Sequence, residues 1–180
     1  MKDRDIEKQK FPIGKFIFPA EVTKEYVQKH IQRIDSLPGE LRQLVSGFTE
    51  DQLNTVYREG GWTVRQVINH IADSHVNAYI RFKCALTEST PVIKPYVEAE
   101  WAELPDGKNC DPEISLKLID ALHYRWVMLL RSVSKDDFKK GFFHPEHGKI
   151  ISLGIATGSY SWHGDHDFAH ISGLKERMGW

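Results

Sequence analysis

Four long stretches of this chain repeat apolar residues at three- and four-residue steps, and none alternates in the two-residue rhythm of a half-buried strand. A chain patterned this way must bury each apolar stripe against another helix, so the expected architecture is an all-α, four-helix bundle. The first stripe starts after Thr23 with Tyr26, Val27, Ile31, Ile34 and Leu37, and continues through Leu41, Leu44 and Val45. Pro38 lies inside it and is expected to kink or divide the helix. Thr49 with Gln52 forms a capping-box pattern for a short helix through Leu53, and Gly60 and Gly61 then break the chain.

The second long helix has the clearest start. Thr63 with Gln66 three residues later caps the free N–H groups of a segment running to about Thr87. Its stripe includes Val64, Val67, Ile68, Ile71, Ala78, Phe82 and Ala85, bordered by a polar seam of His70, Asp73 and Asn77. Between Ser89 and Pro112 four prolines and no clean period predict a long loop, and Tyr96, Trp101 and Leu104 suit it to packing as a cover. Asp111, Pro112 and Glu113 open a third helix. Ser134 to Phe138 reads as a short turn and GFFHPEHGK as a loop. The fourth helix is expected from near Ser152 to about Met178, its Gly154, Gly158 and Gly164 giving up helix stability for close helix approach. Residues 1–22, with two prolines in KFPIGKFIFPA, read as an irregular arm on a single bundle domain spanning 23–180.

Composition excludes several roles. The 180 residues carry 24 basic and 25 acidic side chains. With no basic run interleaved with aromatics, no nucleic-acid partner is expected. The longest apolar runs, such as WVMLL, are far short of the roughly 20 residues that span a bilayer, and the charged start lacks a following apolar region. No membrane association is expected, and a cytoplasmic location is. Cys84 and Cys110, far apart and outside any CxxC, suit a reducing compartment and suggest no redox role.

The chemistry concentrates in WHGDHDFAHI. His163, Asp167 and His170 fall at i, i+4 and i+7 on one helix face, with His166 beside them. One helix cannot enclose a cation, since such spacing offers about two ligands where an open tetrahedral site needs three. His70, on another helix, is the candidate for closing the site. Asp73 is placed to orient His70 or to line the cavity. His30, His75 and His123 are assigned to surface or core. The HxxH of His144 and His147 is disfavoured as a metal site by Pro145 and by the lack of neighbouring ligands, and Arg81 and Arg125 are candidates for recognising an anionic substrate.

The segments GWTVRQVINHIADSH, AYIRFKCALTE, IKPY, WAELPD, FHPEHGK and YSWHGDHDFAHI, in this order, resemble the DinB/YfiT-like superfamily and its YfiT branch, from PIGKF to the C-terminus. That resemblance implies an up-down-down-up bundle, a homodimer, and a metal-dependent hydrolase or bacillithiol S-transferase. It also implies one divalent metal per subunit, nickel or zinc, held by three histidines. By motif the first falls on His70 and the second on His163. The third falls on Asp167, where the family's WHGxHH becomes WHGDHD. Two imidazoles and a carboxylate still bind zinc, and the same set suits iron, with manganese a further candidate. The anionic ligand should lower the site's power to acidify a bound group. His166 is the substitute third ligand, and His170 is expected to pack or hydrogen-bond near the site.

With no nucleophile evident beside a base, the metal must carry any reaction. The leading expectation is activation of a low-molecular-weight thiol for attack on an electrophilic small molecule. The alternatives are hydrolysis by metal-activated water and a non-catalytic bundle with a degenerate site.

Overall fold

The structure is a computed structural model that describes residues 2–180, with side chains from Ile6 onward. Four long helices dominate it: α2 (Lys24–Val45), α4 (Val64–Thr87), α7 (Pro112–Ser132) and α8 (Leu153–Met178). Each begins at an N-cap whose side-chain oxygen accepts a backbone N–H: Thr23, Thr63, Asp111 and Ser152. At Thr49 and Thr63 the capping box is complete in both directions. Thr49 starts the single-turn α3 (Glu50–Leu53). Gly179, in the left-handed conformation at φ 70°, ends α8.

Contacts between the long helices set the topology. α2 and α8 run parallel, with Val22 against Gly154, Tyr26 against Gly158 and Leu37 against Gly164. A side chain at Gly158 would collide with the Tyr26 ring, and one at Gly164 with Leu37, so these glycines let the two backbones approach. α4 and α7 are also parallel, with Ser115 bonded to Asn69 and His123 to His75. α2 opposes α7, because Arg42 reaches Glu113 and Asp120 while Asp35 meets Arg131. α4 opposes α8 in the same way, with Arg81 donating to Tyr160 and His70 meeting His163. The order is therefore up-down-down-up, as the resemblance implies.

The core divides into two apolar clusters along the bundle axis. One gathers Ile31, Ile34, Phe82, Trp126, Leu130 and Leu153. The other gathers Leu41, Val64, Ile68, Ile71, Ile119 and Ile171. At the level where α2, α4, α7 and α8 pass from one cluster to the other stand His75, His123, His163 and Asp167, so polarity is concentrated in a middle layer.

Four expectations need correction. Pro38 does not divide α2, which is continuous across it with the proline ring buried. The N-terminal arm is not wholly irregular: Lys2–Lys10 forms α1. Its Lys, Glu and Gln residues favour helix, and with almost no apolar residue to show a period, periodicity could not reveal it. The long loop contains α5 (Glu98–Ala102) and α6 (Pro105–Asn109), tied to α4 by Gln66 Nε2 donating to the Ala102 carbonyl and Asn69 Nδ2 to the Gly107 carbonyl. GFFHPEHGK is a hairpin, β1 (Gly141–His144) antiparallel to β2 (Lys149–Ser152), turning at Gly148 with φ 61°. Four-residue strands are too short to show alternation, and Phe142 and Ile151 close the end of the first core cluster. No helix of the described residues is long and apolar enough to cross a membrane.

Candidate metal centre

His70 projects from α4, and His163 and Asp167 from α8, into one point of the middle layer. Their ligand atoms lie within 4.8 Å of one another. His70 Nε2 is 3.2 Å from His163 Nε2, and Asp167 Oδ2 is 3.4 Å from His163 Nδ1 and 3.9 Å from His70 Nε2. His70 and Asp167 are buried and His163 is partly open. Trp62 packs on the His70 ring at 4.7 Å between centroids and limits its rotation.

The electrostatics suit a cation. Burial, with His163 and His166 nearby, holds the His70 imidazole down to about 3. Burial also holds His163 down to about 4. Both rings are therefore neutral at pH 7, with lone pairs available. Burial first, and the Glu98 carboxylate second, push the Asp167 carboxyl well above the usual carboxylate range. Among the described residues Asp167 Oδ2 is buried without a hydrogen-bond partner, which is costly unless something else satisfies it. Two donors about 2.0–2.1 Å from one tetrahedral ion stand about 3.3–3.4 Å apart, close to the observed 3.2 Å between imidazole nitrogens. The donor set thus fits a divalent cation.

His166 lies beside this trio. Its Nε2 is 3.0 Å from His170 Nε2, and together with Asp167 the pair forms a second group of converging donors. His170 is buried against Tyr57, to which it stacks at 4.0 Å. Asp73 stands outside both groups and makes no hydrogen bond to His70 among the described residues. Burial, and then the Asp106 carboxylate, raise its carboxyl to about 6.

A cavity of about 290 Å³ opens onto His163, with Ser74, Arg81, Tyr96, Glu98 and Tyr160 among its walls. The Arg81 guanidinium donates to Tyr160 Oη at 2.7 Å, fixing its reach. Arg125 is elsewhere, over the Tyr79 ring. His144 and His147, their rings 4.2 Å apart, also line the cavity, presented by the hairpin. Sequence reasoning missed Tyr96, Glu98 and the hairpin pair as cavity walls, since their segments carry no period that fixes their direction.

The sequence profile of the DinB superfamily matches residues 33–171. The chain belongs to the DinB superfamily. The Bacillus subtilis protein YfiT is 51% identical over 170 residues, covering 94% of this chain and 96% of the relative, and carries the provisional name of a metal-dependent hydrolase. A relative from Oceanobacillus iheyensis, similarly named, is 54% identical over 172 residues, covering 96% of this chain and 99% of its own. The solved structure of YfiT, described as having an unusual four-helix bundle topology, superposes with a TM-score of 0.94 at 50% identity over 96% of this chain and 99% of that one. This DinB chain therefore has the YfiT fold over nearly its whole length, and its full-length relatives carry names that place them among metal-dependent enzymes.

Proposed function

We propose that this protein is a metal-dependent enzyme that transfers a low-molecular-weight thiol, of the bacillithiol kind its motifs imply, to an electrophilic carbon of a small molecule. The observation that carries this reading is the convergence of His70, His163 and Asp167, with His163 on the wall of a cavity. Held by these three side chains, a divalent ion would supply Lewis acidity to a thiol or water at its open position. A thiol begins near pKa 8.5 and water near 15.7. An anionic ligand such as Asp167 weakens acidification, so the donor set favours the group that needs less of it.

The remaining work falls to the chain. Arg81, steadied by Tyr160, offers positive charge to an anionic reactant, and Phe18 and Phe142 exclude water from part of the wall. In the reaction a sulfur–carbon bond forms, the leaving group departs with its electron pair, and the thiol proton passes to solvent. The free thiols Cys84 and Cys110 are outside this cavity, so the attacking sulfur comes from the co-substrate.

The relatives' names favour a second reading, hydrolysis of a small amide or ester, for which two histidines and a carboxylate are a suitable donor set. The two separate in one experiment. Zinc-loaded, tag-free protein is mixed with bacillithiol and a thiol-reactive bimane, and in parallel with simple esters and amides. Thiol conjugation abolished by His70→Ala supports the first reading; hydrolysis without conjugation overturns it in favour of the second. A homodimer belongs to the same proposal. The exposed Trp101, Leu104 and Val97 on the α5–α6 cover offer an apolar surface for it, and gel filtration should give about twice the 20.8 kDa chain mass.

A further inference from the structure

We propose that the cluster holds two divalent cations, one bound by His70, His163 and one oxygen of Asp167, the other by His166, His170 and the second oxygen of Asp167. This rests on the reading of His70, His163 and Asp167 as metal ligands and extends it to side chains that reading leaves over. His166, Asp167 and His170 form their own group of donors within 4.8 Å of one another. The 3.0 Å between His166 Nε2 and His170 Nε2 is, like the 3.2 Å in the first group, the spacing of two ligands on one ion.

Three features build this second position. The rings are held by stacking: His166 lies on Trp162 at 4.8 Å and 25°, and His170 lies on Tyr57 at 4.0 Å and 26°. Their nitrogens therefore face each other without further ordering. The shared ligand is a carboxylate, whose two oxygens can serve two ions, whereas an imidazole at residue 167 would offer one nitrogen to one of them. A separate cavity of about 390 Å³, lined by Gln9, Pro12, Tyr57 and His170, has no wall residue in common with the cavity at His163. It gives the second ion its own approach, beneath the N-terminal segment. Like charges repel, so the second ion should bind more weakly than the first, by at least about tenfold.

The test uses full-length, tag-free, chelator-stripped protein and Zn²⁺ alone, titrated by calorimetry and checked by elemental analysis after dialysis. The wild type should take up two ions per chain in two resolved steps. His166→Gln combined with His170→Gln should remove the weaker step and leave one ion, while His70→Ala should remove the tighter step. Circular dichroism and melting curves establish that the variants are folded. Wild-type crystals soaked in Zn²⁺ give a second measure that needs no variant: two anomalous peaks about 3.5–4 Å apart, flanking Asp167, are expected. A single ion per chain, lost in His70→Ala and unaffected by the His166/His170 double variant, would overturn the second position while leaving the proposed enzyme site standing. Two ions retained in the double variant would place the second ion elsewhere and also overturn it. No bound zinc at all would overturn both readings.

Discussion

Two pairs of histidines cross between helices in the middle layer, and they solve the burial of imidazole in opposite ways. In one, His123 is 2.7 Å from the Ile34 carbonyl through Nδ1 and 2.7 Å from His75 Nδ1 through Nε2. A carbonyl only accepts, so His123 carries its proton on Nδ1, its Nε2 accepts, and His75 donates from Nδ1. The chain of donors closes on the backbone of α2, and Trp126 packs edge-on against both rings. Of this pair, the His75 Nε2 lone pair lacks a partner among the described residues. In the other pair, His70 and His163 bring two Nε2 atoms together beside a carboxylate oxygen that has no partner among the described residues, and among these no backbone carbonyl closes the chain. The first arrangement is anchored to the backbone and leaves a single lone pair over. The second is complete only with something added, and that difference separates a structural histidine from a ligand more reliably than burial does.

The largest effect that sharpens this contrast is on metal affinity. His70→Ala should weaken Zn²⁺ binding by at least about 100-fold, since losing a ligand costs no less than losing an outer partner. His123→Ala should leave it within a few-fold. Competition with a chromophoric chelator measures both, and equal losses would mean that the two pairs form one functional unit.

Stability should rank the pairs the other way. His123→Ala opens a cavity between α4, α7 and α2 and leaves the Ile34 carbonyl and His75 Nδ1–H without partners, a loss of about 2–4 kcal/mol. Urea unfolding of metal-free protein gives the number, and a loss below about 1 kcal/mol would mean that the closed pair does not hold these helices together.

How much of this was legible in the sequence follows from what each feature depends on. The long helices were readable because their starts are local: Thr63 and Gln66 cap each other within one turn, and Asp111 and Ser152 need only the next few residues. His163 and Asp167 share a face by spacing alone, and His70 stands out in the polar seam of α4. The partner of His75 was not readable, because nothing in HIADSH says that a histidine 48 residues later, one turn short of Trp126, will lie opposite. The hairpin and the α5–α6 cover escaped for a related reason. Phe142, Ile151 and Gly107 are buried by tertiary contacts in segments too short to display a period. The substitution of aspartate at residue 167 was visible, but its capacity to serve both the His70 side and the His166 side depends on where the helices put it.

The closed pair also predicts a pH response. Burial holds His123 down to about 4 in the folded protein, against an ordinary value of 6.5. A base whose folded value is lowered takes up its proton in the unfolded chain first, so unfolding gains a proton as pH falls below 6.5 and stability declines until about pH 4. The contribution of His123 over that window is on the order of 3 kcal/mol. Metal-free wild type should therefore lose stability steeply between pH 6.5 and 4. His123→Phe, which keeps a ring but cannot titrate, should lose visibly less, with the site histidines supplying the remaining slope. An unchanged slope would mean that the pair is not the source.

The smallest effect is the most discriminating, because its sign changes with the metal. The Asp167 carboxyl is raised well above its ordinary value by burial, so at pH 7 the unfolded chain releases its proton readily while the folded one resists. Stability that depends on this group falls as pH rises through the ordinary carboxylate range and beyond. Asp167→Asn keeps the shape and removes the ionisable group, so the metal-free variant should be more stable than wild type at pH 7 by about 1 kcal/mol, or about 2–4 °C in melting temperature for a chain of this size. With Zn²⁺ in excess the order should reverse, since the wild type gains binding free energy that a neutral amide, a poorer ligand, does not match. A ligand position is destabilising until it is filled, whereas a structural one such as His123 stabilises in either state. If Asp167→Asn lowered the melting temperature by the same amount with and without zinc, Asp167 would belong with His123 as part of the scaffold.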